Sequence, residues 1–441
     1  MSEEKHSQDI RQMKFEDVES IIESGDGNQL KIVFETGQFT NINKPKSLHG
    51  PSLLMIACQS GYIDCVKILL EYNADINYLN QNDSVLSCAC RSGSVELVHF
   101  IIASGFKIND EIINNFFKSE YLMQNTEIIT ILIDYIQDIC NGYITFISCA
   151  SMAGNVAIVR LLLERGANPN IEHYDCIVAA SMKGHIEVVK LLLTWGSVDK
   201  RPSQDMLVSA LIHASRSGHL DIVRYLFECG ITDTAALTDA LRHAVECNHV
   251  QVAEYLIAKG ADINTTATNF MNDQYSLLTF ACCFDYMSMV HLLLSSGADP
   301  NAVAPRGECP LKAALHHPGI VLDAGADPNL QFADGSTALL EAMKPFRVNV
   351  HYILTLLLQH GADPNLAHAH TADTPLITAA LVGRVDLVRL LLEYGADVTQ
   401  VNRDGDSVLD MLGRTTAHPV VVELCLQYID TNRPGNKPLL K

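Results

Sequence analysis

Pairs of residues that accept a left-handed backbone recur twelve residues apart along this chain: Gly61 and Asn73, Gly93 and Gly105, Gly154 and Gly166, Gly184 and Gly196, Gly218 and Gly230, Asn248 and Gly260, Asp285 and Gly297, Gly383 and Gly395. Glycine adopts positive φ without steric penalty, and Asn and Asp with a smaller one than other residues, so one backbone geometry accounts for the glycines and for the exceptions. Between the members of each pair runs an apolar segment such as Ile186-Glu187-Val188-Val189-Lys190-Leu191-Leu192-Leu193. That pattern predicts a short helix started after one left-handed turn and stopped by the next. The chain is therefore expected to be an all-α repeat solenoid, in which each unit covers the apolar face of its neighbour.

Nine residues before the first left-handed position stand Ser52, Ser84, Thr145, Asp175, Ser209, Asp239, Ser276 and Thr374, all helix-capping types, and they predict the start of a first helix. Four residues before the same turn stand Ala57, Ala89, Ala150, Ala180, Ala214, Ala244, Ala281 and Ala379, small enough to let neighbouring helices approach closely. The second helix carries larger apolar residues, as in Ile68 to Leu70 and Leu390 to Leu392.

This pattern resembles the ankyrin repeat. Thr374-Pro375-Leu376-Ile377-Thr378-Ala379-Ala380, followed by Gly383 and by Gly395-Ala396-Asp397, is the nearest match, and Gly260-Ala261-Asp262-Ile263-Asn264 and Gly297-Ala298-Asp299-Pro300-Asn301 repeat the closing turn. The resemblance covers residues 16 to 429 and implies about eleven helix-turn-helix units with hairpin loops between a degenerate N-terminal cap (Phe15 to Asn43) and a C-terminal half-repeat (Asp404 to Tyr428). The family's histidine after the leucine is replaced by Met55, Ser87, Ile212 and Ile377, which predicts looser hairpin fingers. Ile112 to Gln137 has no glycine, but Asn125 lies 32 residues after Gly93 and precedes Ile128, Ile129, Leu132 and Ile133, so it is read as a disguised third repeat. After Pro310-Leu311-Lys312-Ala313-Ala314 the chain reaches Gly325 through Pro318-Gly319, leaving too few residues for a full second helix. The organisation expected is a polar tail (1–14), a repeat domain (15–429) with an irregularity or hinge at 311–327, and a C-terminal tail (430–441).

The apolar content of 48% and charged content of 19% suit a folded soluble chain, and charges interrupt every apolar run before membrane-spanning length. The polar start Met1-Ser2-Glu3-Glu4-Lys5-His6 shows no secretory signal, so the cytoplasm, or else the nucleus, is expected. Cys58, Cys88, Cys90, Cys149 and Cys282 occupy helical positions that need a small apolar side chain, and neither Cys88-Ala89-Cys90 nor Cys282-Cys283 has metal-ligand spacing. Outside a secretory route, Asn82-Asp83-Ser84 and Asn264-Thr265-Thr266 read as turns. A net charge of -20 disfavours a nucleic-acid partner. There is no phosphate-binding loop, nucleophile elbow, His-Glu-x-x-His helix or kinase signature, and the repeats leave no stretch for a catalytic fold, so neither an enzyme nor a cofactor is expected. The pair His316-His317, on two different helix sides, reads as a solvated surface.

In ankyrin proteins partner contacts involve the two residues before the first left-handed position, on the concave surface. Carried over here, that stripe includes Gln59, Arg91, Met152, Met182, Lys183, Arg216, Glu246, Phe284 and Leu381. Its three cations and two methionines, set in an acidic chain, point to a peptide with hydrophobic anchors and acidic flanks. The resemblance also implies that Asn264, eight residues after Leu256, fits the spacing of asparagine hydroxylase substrates. The function expected is a noncatalytic, monomeric intracellular scaffold for a protein or peptide partner. The alternative, a substrate-recruiting adaptor of a ubiquitin ligase, needs a terminal helical box that neither end supplies.

Overall fold

The computed structural model of the chain describes residues 12–80, 83–107, 125–135, 142–170, 176–195, 202–268, 274–344, 347–414 and 419–432. Asp175, Gly196, Asn82 and residues 112–124 lie outside them. The chain divides into two compact units, Met1–Ala214 with Arg224–Cys229, and Ser215–Val223 with Gly230–Lys441.

Both units are built from helical hairpins, and in most of them each helix ends at a left-handed residue; the first helices Pro310–Ala313 and Ala338–Ala342 are exceptions. Fifteen of the sixteen positions named above have positive φ, from Asp285 at 57° to Gly230 at 105°. The interval recurs at two further places, Gly25 to Gly37 and Asn349 to Gly361. The hydrogen bonds explain the spacing. Where a second helix such as Ile63–Glu71 ends, Asn73 N–H donates to the Leu70 carbonyl at 3.0 Å and Ala74 N–H to the Leu69 carbonyl at 2.9 Å. This Schellman pair satisfies two carbonyls that the helix end would leave unpaired. The first helix closes the same way: His185 N–H reaches the Ala180 carbonyl at 2.9 Å, Tyr286 N–H reaches Ala281 at 2.9 Å and Arg384 N–H reaches Ala379 at 3.2 Å. All eight copies of the recurring alanine are buried, and at Ala150, Ala180, Ala244, Ala281 and Ala379 the same residue is also the acceptor of the turn.

The predicted caps divide. Ser52, Ser84, Ser276 and Thr374 accept from the backbone N–H three residues on, at 3.0 to 3.3 Å, and open the helices Leu53–Ser60, Val85–Arg91, Leu277–Cys283 and Pro375–Val382. Thr145, Ser209 and Asp239 do not cap; they lie inside the longer helices Gly142–Met152, Gln204–Ser217 and Thr234–Glu246. In the last two, an acceptor further upstream starts the helix. Ser203 Oγ takes the Met206 N–H, and the Asp233 carboxylate takes those of Ala235 and Ala236. No glycine or proline follows to delay the helix to the expected site.

The disguised repeat has its second helix, Thr126–Tyr135, with Ile128, Ile129, Leu132 and Ile133 buried. Asn125 is the acceptor that opens this helix rather than a left-handed residue: its Oδ1 accepts from the Ile128 N–H at 3.2 Å, as Asn155 does for Ile158. In the shortened repeat the first helix is Pro310–Ala313 and the second Gly319–Asp323, five residues against nine in Met287–Ser295.

The hairpin fingers are tied by asparagine. Asn301 Oδ1 accepts from the Asp327 N–H at 2.7 Å while its Nδ2 donates to the Gly325 carbonyl at 3.1 Å. Asn329 makes the same pair to Asp363 and Gly361, Asn365 to Asp397 and Gly395, and Asn43 to Asp75 and Asn73. Backbone bonds join further fingers, Ala369 N–H to Gly335 at 2.8 Å and Arg403 N–H to Thr371 at 3.0 Å. One finger forms antiparallel strands, Thr266–Thr268 against Gln274–Ser276. The sites of the lost histidine are occupied by the buried Met55, Ser87 and Ile377. The fingers of the second unit therefore have ties of their own where looseness was expected.

Candidate protein-binding stripe

The candidate residues sit at the C-terminal ends of first helices, because the left-handed turn that follows exposes the last one or two side chains of each. In the first unit Gln59 is exposed, Met152 is half-buried, and Met182 and Lys183 are exposed at the end of Cys176–Lys183. In the second unit Arg216 is exposed and Glu246 half-buried, with Phe284 43% exposed and Leu381 41% exposed beside Val382 at 56%. A phenylalanine, a leucine and a valine left in water at the two positions before the turn, in repeats whose recurring alanines and second-helix leucines are packed, suit a contact surface.

Two of the charged members are already paired. Arg91 holds Asp83 through two parallel bonds, Nη1 to Oδ1 at 2.5 Å and Nη2 to Oδ2 at 2.7 Å, so its charge is largely spent within its own repeat. Burial pushes the Glu246 carboxyl up, but bonds to His243 at 3.0 Å and Arg242 at 3.2 Å outweigh it and hold the pKa below its ordinary value. The stripe accordingly offers a partner fewer charges of both signs than its composition implies.

Two stripe residues are also fixed through their backbones. His185 Nε2 lies 2.9 Å from the Met152 carbonyl, and His249 Nε2 2.9 Å from the Arg216 carbonyl. A carbonyl only accepts, so each ring carries its proton on Nε2 and donates. Each imidazole lies against the turn glycine of the preceding repeat, Gly154 or Gly218, where a β-carbon would overlap the ring. Sequence reading did not identify these histidines; the signal available was a histidine directly after the left-handed residue, in Gly184-His185 and Asn248-His249.

Phe284 packs against Phe280, with ring centroids 4.6 Å apart, and stacks on Tyr286 at 5.8 Å. Beside it opens a cleft of about 330 Å³ lined by Cys283, Asp285, Met287, Val290, Ala314 and Ile320. It lies where the four-residue first helix of the shortened repeat fails to cover the turn of the repeat before it.

The chemistry of the cysteines fits packing. Cys58, Cys88, Cys90 and Cys282 are buried, and burial pushes their thiols up, to about 12 at Cys88 and Cys282, so they stay protonated at neutral pH. Among the described residues no three of His, Cys, Asp and Glu converge as a metal-holding group, and no helix is long and apolar enough to cross a membrane.

A family model described as ankyrin repeats in three copies matches residues 19–112, 176–267, 235–304 and 319–402, and a single ankyrin-repeat model matches 144–174. Among curated relatives, the ankyrin repeat and KH domain-containing protein mask-1 of Caenorhabditis elegans is 28% identical over 355 residues, 75% of this chain and 12% of that protein. The putative palmitoyltransferase ZDHHC13 of Danio rerio is 27% identical over 241 residues, 52% of this chain and 36% of that protein. The chain thus spans well under two thirds of the length of either. Solved structures similar to it include the ankyrin repeat domain of Bcl-3, 23% identical with a TM-score of 0.40 over 50% of this chain and 97% of that one. An ankyrin repeat domain from Acinetobacter baumannii is 29% identical, with a TM-score of 0.37 over 42% of this chain and 98% of that one. With family-model matches running across most of its length, the chain belongs to the ankyrin-repeat family.

Proposed function

We propose that this chain is a noncatalytic interaction module that holds partner proteins on the exposed ends of its first helices, with Met182, Phe284 and Leu381 as apolar anchors and Lys183 and Arg216 as polar contacts. The observation that carries the reading is the exposure of Phe284, Leu381 and Val382 at the two positions that precede the turn of their repeats. Apolar side chains there gain free energy when a partner covers them, about 1.5 to 3 kcal/mol for a large one fully buried. Ankyrin repeats generally mediate protein-protein interaction, which agrees with that position serving as a contact surface. The activity named for the palmitoyltransferase relative belongs to that protein, of which the match covers 36%. A scaffold in the cytoplasm is the setting we favour over an adaptor in a ubiquitin ligase, for which no feature of the chain speaks.

The test is quantitative affinity capture with the wild-type chain beside a Met182→Ser, Phe284→Ser, Leu381→Ser triple variant. All three positions are exposed, so folding should be preserved, and at least one specific partner should fall about tenfold or more in recovery. An identical set of captured proteins from both would remove the stripe from consideration.

A further inference from the structure

The cleft beside Phe284 exists because of the shortened repeat. A full first helix, such as Leu277–Cys283, would project its last residues over the turn of the repeat before it; Pro310–Ala313 stops early, and the chain turns away through His316, His317 and Pro318. The floor is apolar, made by Val290, Ala314 and Ile320, and the exposed Met287 forms one wall. At the rim stand Asp285 and Cys283, both exposed.

The residues at the rim do not favour covalent or metal chemistry. Although Cys283 is exposed, its sulfur is partly desolvated against the cleft, and this, with the charge of Glu308 after it, pushes the thiol up to about 11, the reverse of an activated nucleophile. His316 and His317 line the same cleft without joining Cys283 or Asp285 in a metal-holding group. What remains is a pocket of the size and lining that accepts an apolar side chain.

The charge around it selects the flanks of the segment that would bring such a side chain. Residues 274 to 344 as a whole carry seven carboxylates and three basic side chains; of these Asp285 lines the cleft, and the charge of Glu308 reaches Cys283 at its rim. Two of those bases are paired within the stretch, Lys312 with Glu308 at 3.1 Å and Lys344 with Glu341 and Asp334. Lys183 and Arg216, the cations of the stripe, lie outside it. Asp285 is held at the rim by its own backbone, because its φ of 57° fixes it in the left-handed turn.

We propose that this cleft is the anchor pocket for one aliphatic side chain of an extended, lysine- or arginine-flanked segment of a partner protein. The proposal rests on the reading of the chain as a protein-binding module and places the acceptor of the hydrophobic anchor in the shortened repeat. The side chain enters between Met287 and Ile320 while a flanking cation meets Asp285.

Met287 supplies a local probe. The full-length chain, labelled with 13C at its methionine methyls, is titrated with the synthetic peptide Gly-Ser-Lys-Lys-Leu-Lys-Lys-Ser-Gly, the Met287 signal being assigned through Met287→Leu. Saturable movement of that signal is expected, at least about fivefold tighter than with an alanine-centred peptide, and absent with glutamate in place of the lysines. Asp285→Asn keeps a residue tolerant of the left-handed turn and should weaken binding about threefold at low salt, as for an exposed ion pair. Ala313 also lines the cleft, and Ala313→Phe, which fills it, should abolish binding; if that variant fails to fold, the leucine-alanine comparison and Asp285→Asn decide. A Met287 signal that does not move, or that responds equally to leucine and alanine or to lysine and glutamate flanks, overturns the pocket. Such a result together with partner loss in the Met182, Phe284, Leu381 triple variant leaves the protein-binding reading standing; unchanged capture by that variant removes the reading itself.

Discussion

Gly154 and Gly166 have nearly the same chemistry in sequence and different duties in space. Both have positive φ, at 74° and 90°. Around Gly166 there is open space, whereas a β-carbon on Gly154 would overlap the imidazole of His185, whose Nε2 is bonded to Met152. Alanine at Gly166 should therefore cost about 1 kcal/mol, the penalty of a left-handed non-glycine residue. At Gly154 it should cost about 2 to 3 kcal/mol, because the ring must move and its bond to Met152 is lost. Gly218→Ala should behave like Gly154→Ala, since His249 makes the same contact with Arg216. Chemical denaturation of the three variants checks the order, and a His185→Ala background isolates the cause. There Gly154→Ala should fall back to about 1 kcal/mol, and a cost that stays near 3 would mean the ring is not responsible.

At the scale of the element, most hairpins are pairs of helices closed by left-handed turns, and asparagine joins several of them to the next. Asn329 satisfies two backbone groups of the following repeat, the Asp363 N–H at 2.7 Å and the Gly361 carbonyl at 2.9 Å, and its own N–H is held by Asp327. Asn264 satisfies the Asp299 N–H at 3.0 Å, a longer bond. Removing the carboxamide leaves two exposed backbone groups to water in the first case, so Asn329→Ala should lower stability by about 1 to 2 kcal/mol and Asn264→Ala by roughly half as much. Hydrogen exchange at the amides of Asp363 and Asp299 reads each effect locally, and equal protection loss at the two would deny the ladder its graded role. The twelve-residue interval and the buried alanines were legible because backbone geometry and close packing each demand one residue type. The starts of Gln204–Ser217 and Thr234–Glu246 were not, since Ser209 and Asp239 are as good capping types as Ser203 and Asp233, and only the absence of a turn upstream decides between them. The stripe was legible in position. Its charge was not, because the pairing of Arg91 with Asp83 and of Glu246 with Arg242 is a property of rotamers.

For the molecule as a whole, the question the sequence raises is whether the short repeat at 311–327 divides the array. Residues 311–327 lie inside the second compact unit. The asparagine ladder crosses them without a gap. Asn301 bonds to Gly325 and Asp327 across only 24 and 26 residues, where Asn329 spans 32 and 34 to reach Gly361 and Asp363. The deletion is thus absorbed in the helices, while the closing turn keeps its Schellman bond from the Ala326 N–H to the Val321 carbonyl at 2.9 Å. A further tie comes from His360, whose Nε2 lies 3.0 Å from Asp323; its bond to the Leu356 carbonyl, and then that carboxylate, raise its pKa. A segment held on both sides in this way should open no more readily than its neighbours. Under native conditions trypsin should spare Lys312 and chymotrypsin should spare Leu315 and Leu322. Asn301→Ala, which removes both rungs at once, should speed cutting there about tenfold, the population shift that corresponds to losing 1 to 2 kcal/mol. Early cleavage of the wild-type chain between Leu311 and Asp327 would instead make the short repeat a hinge, and would mean that the ladder aligns the fingers without holding the helices beneath them.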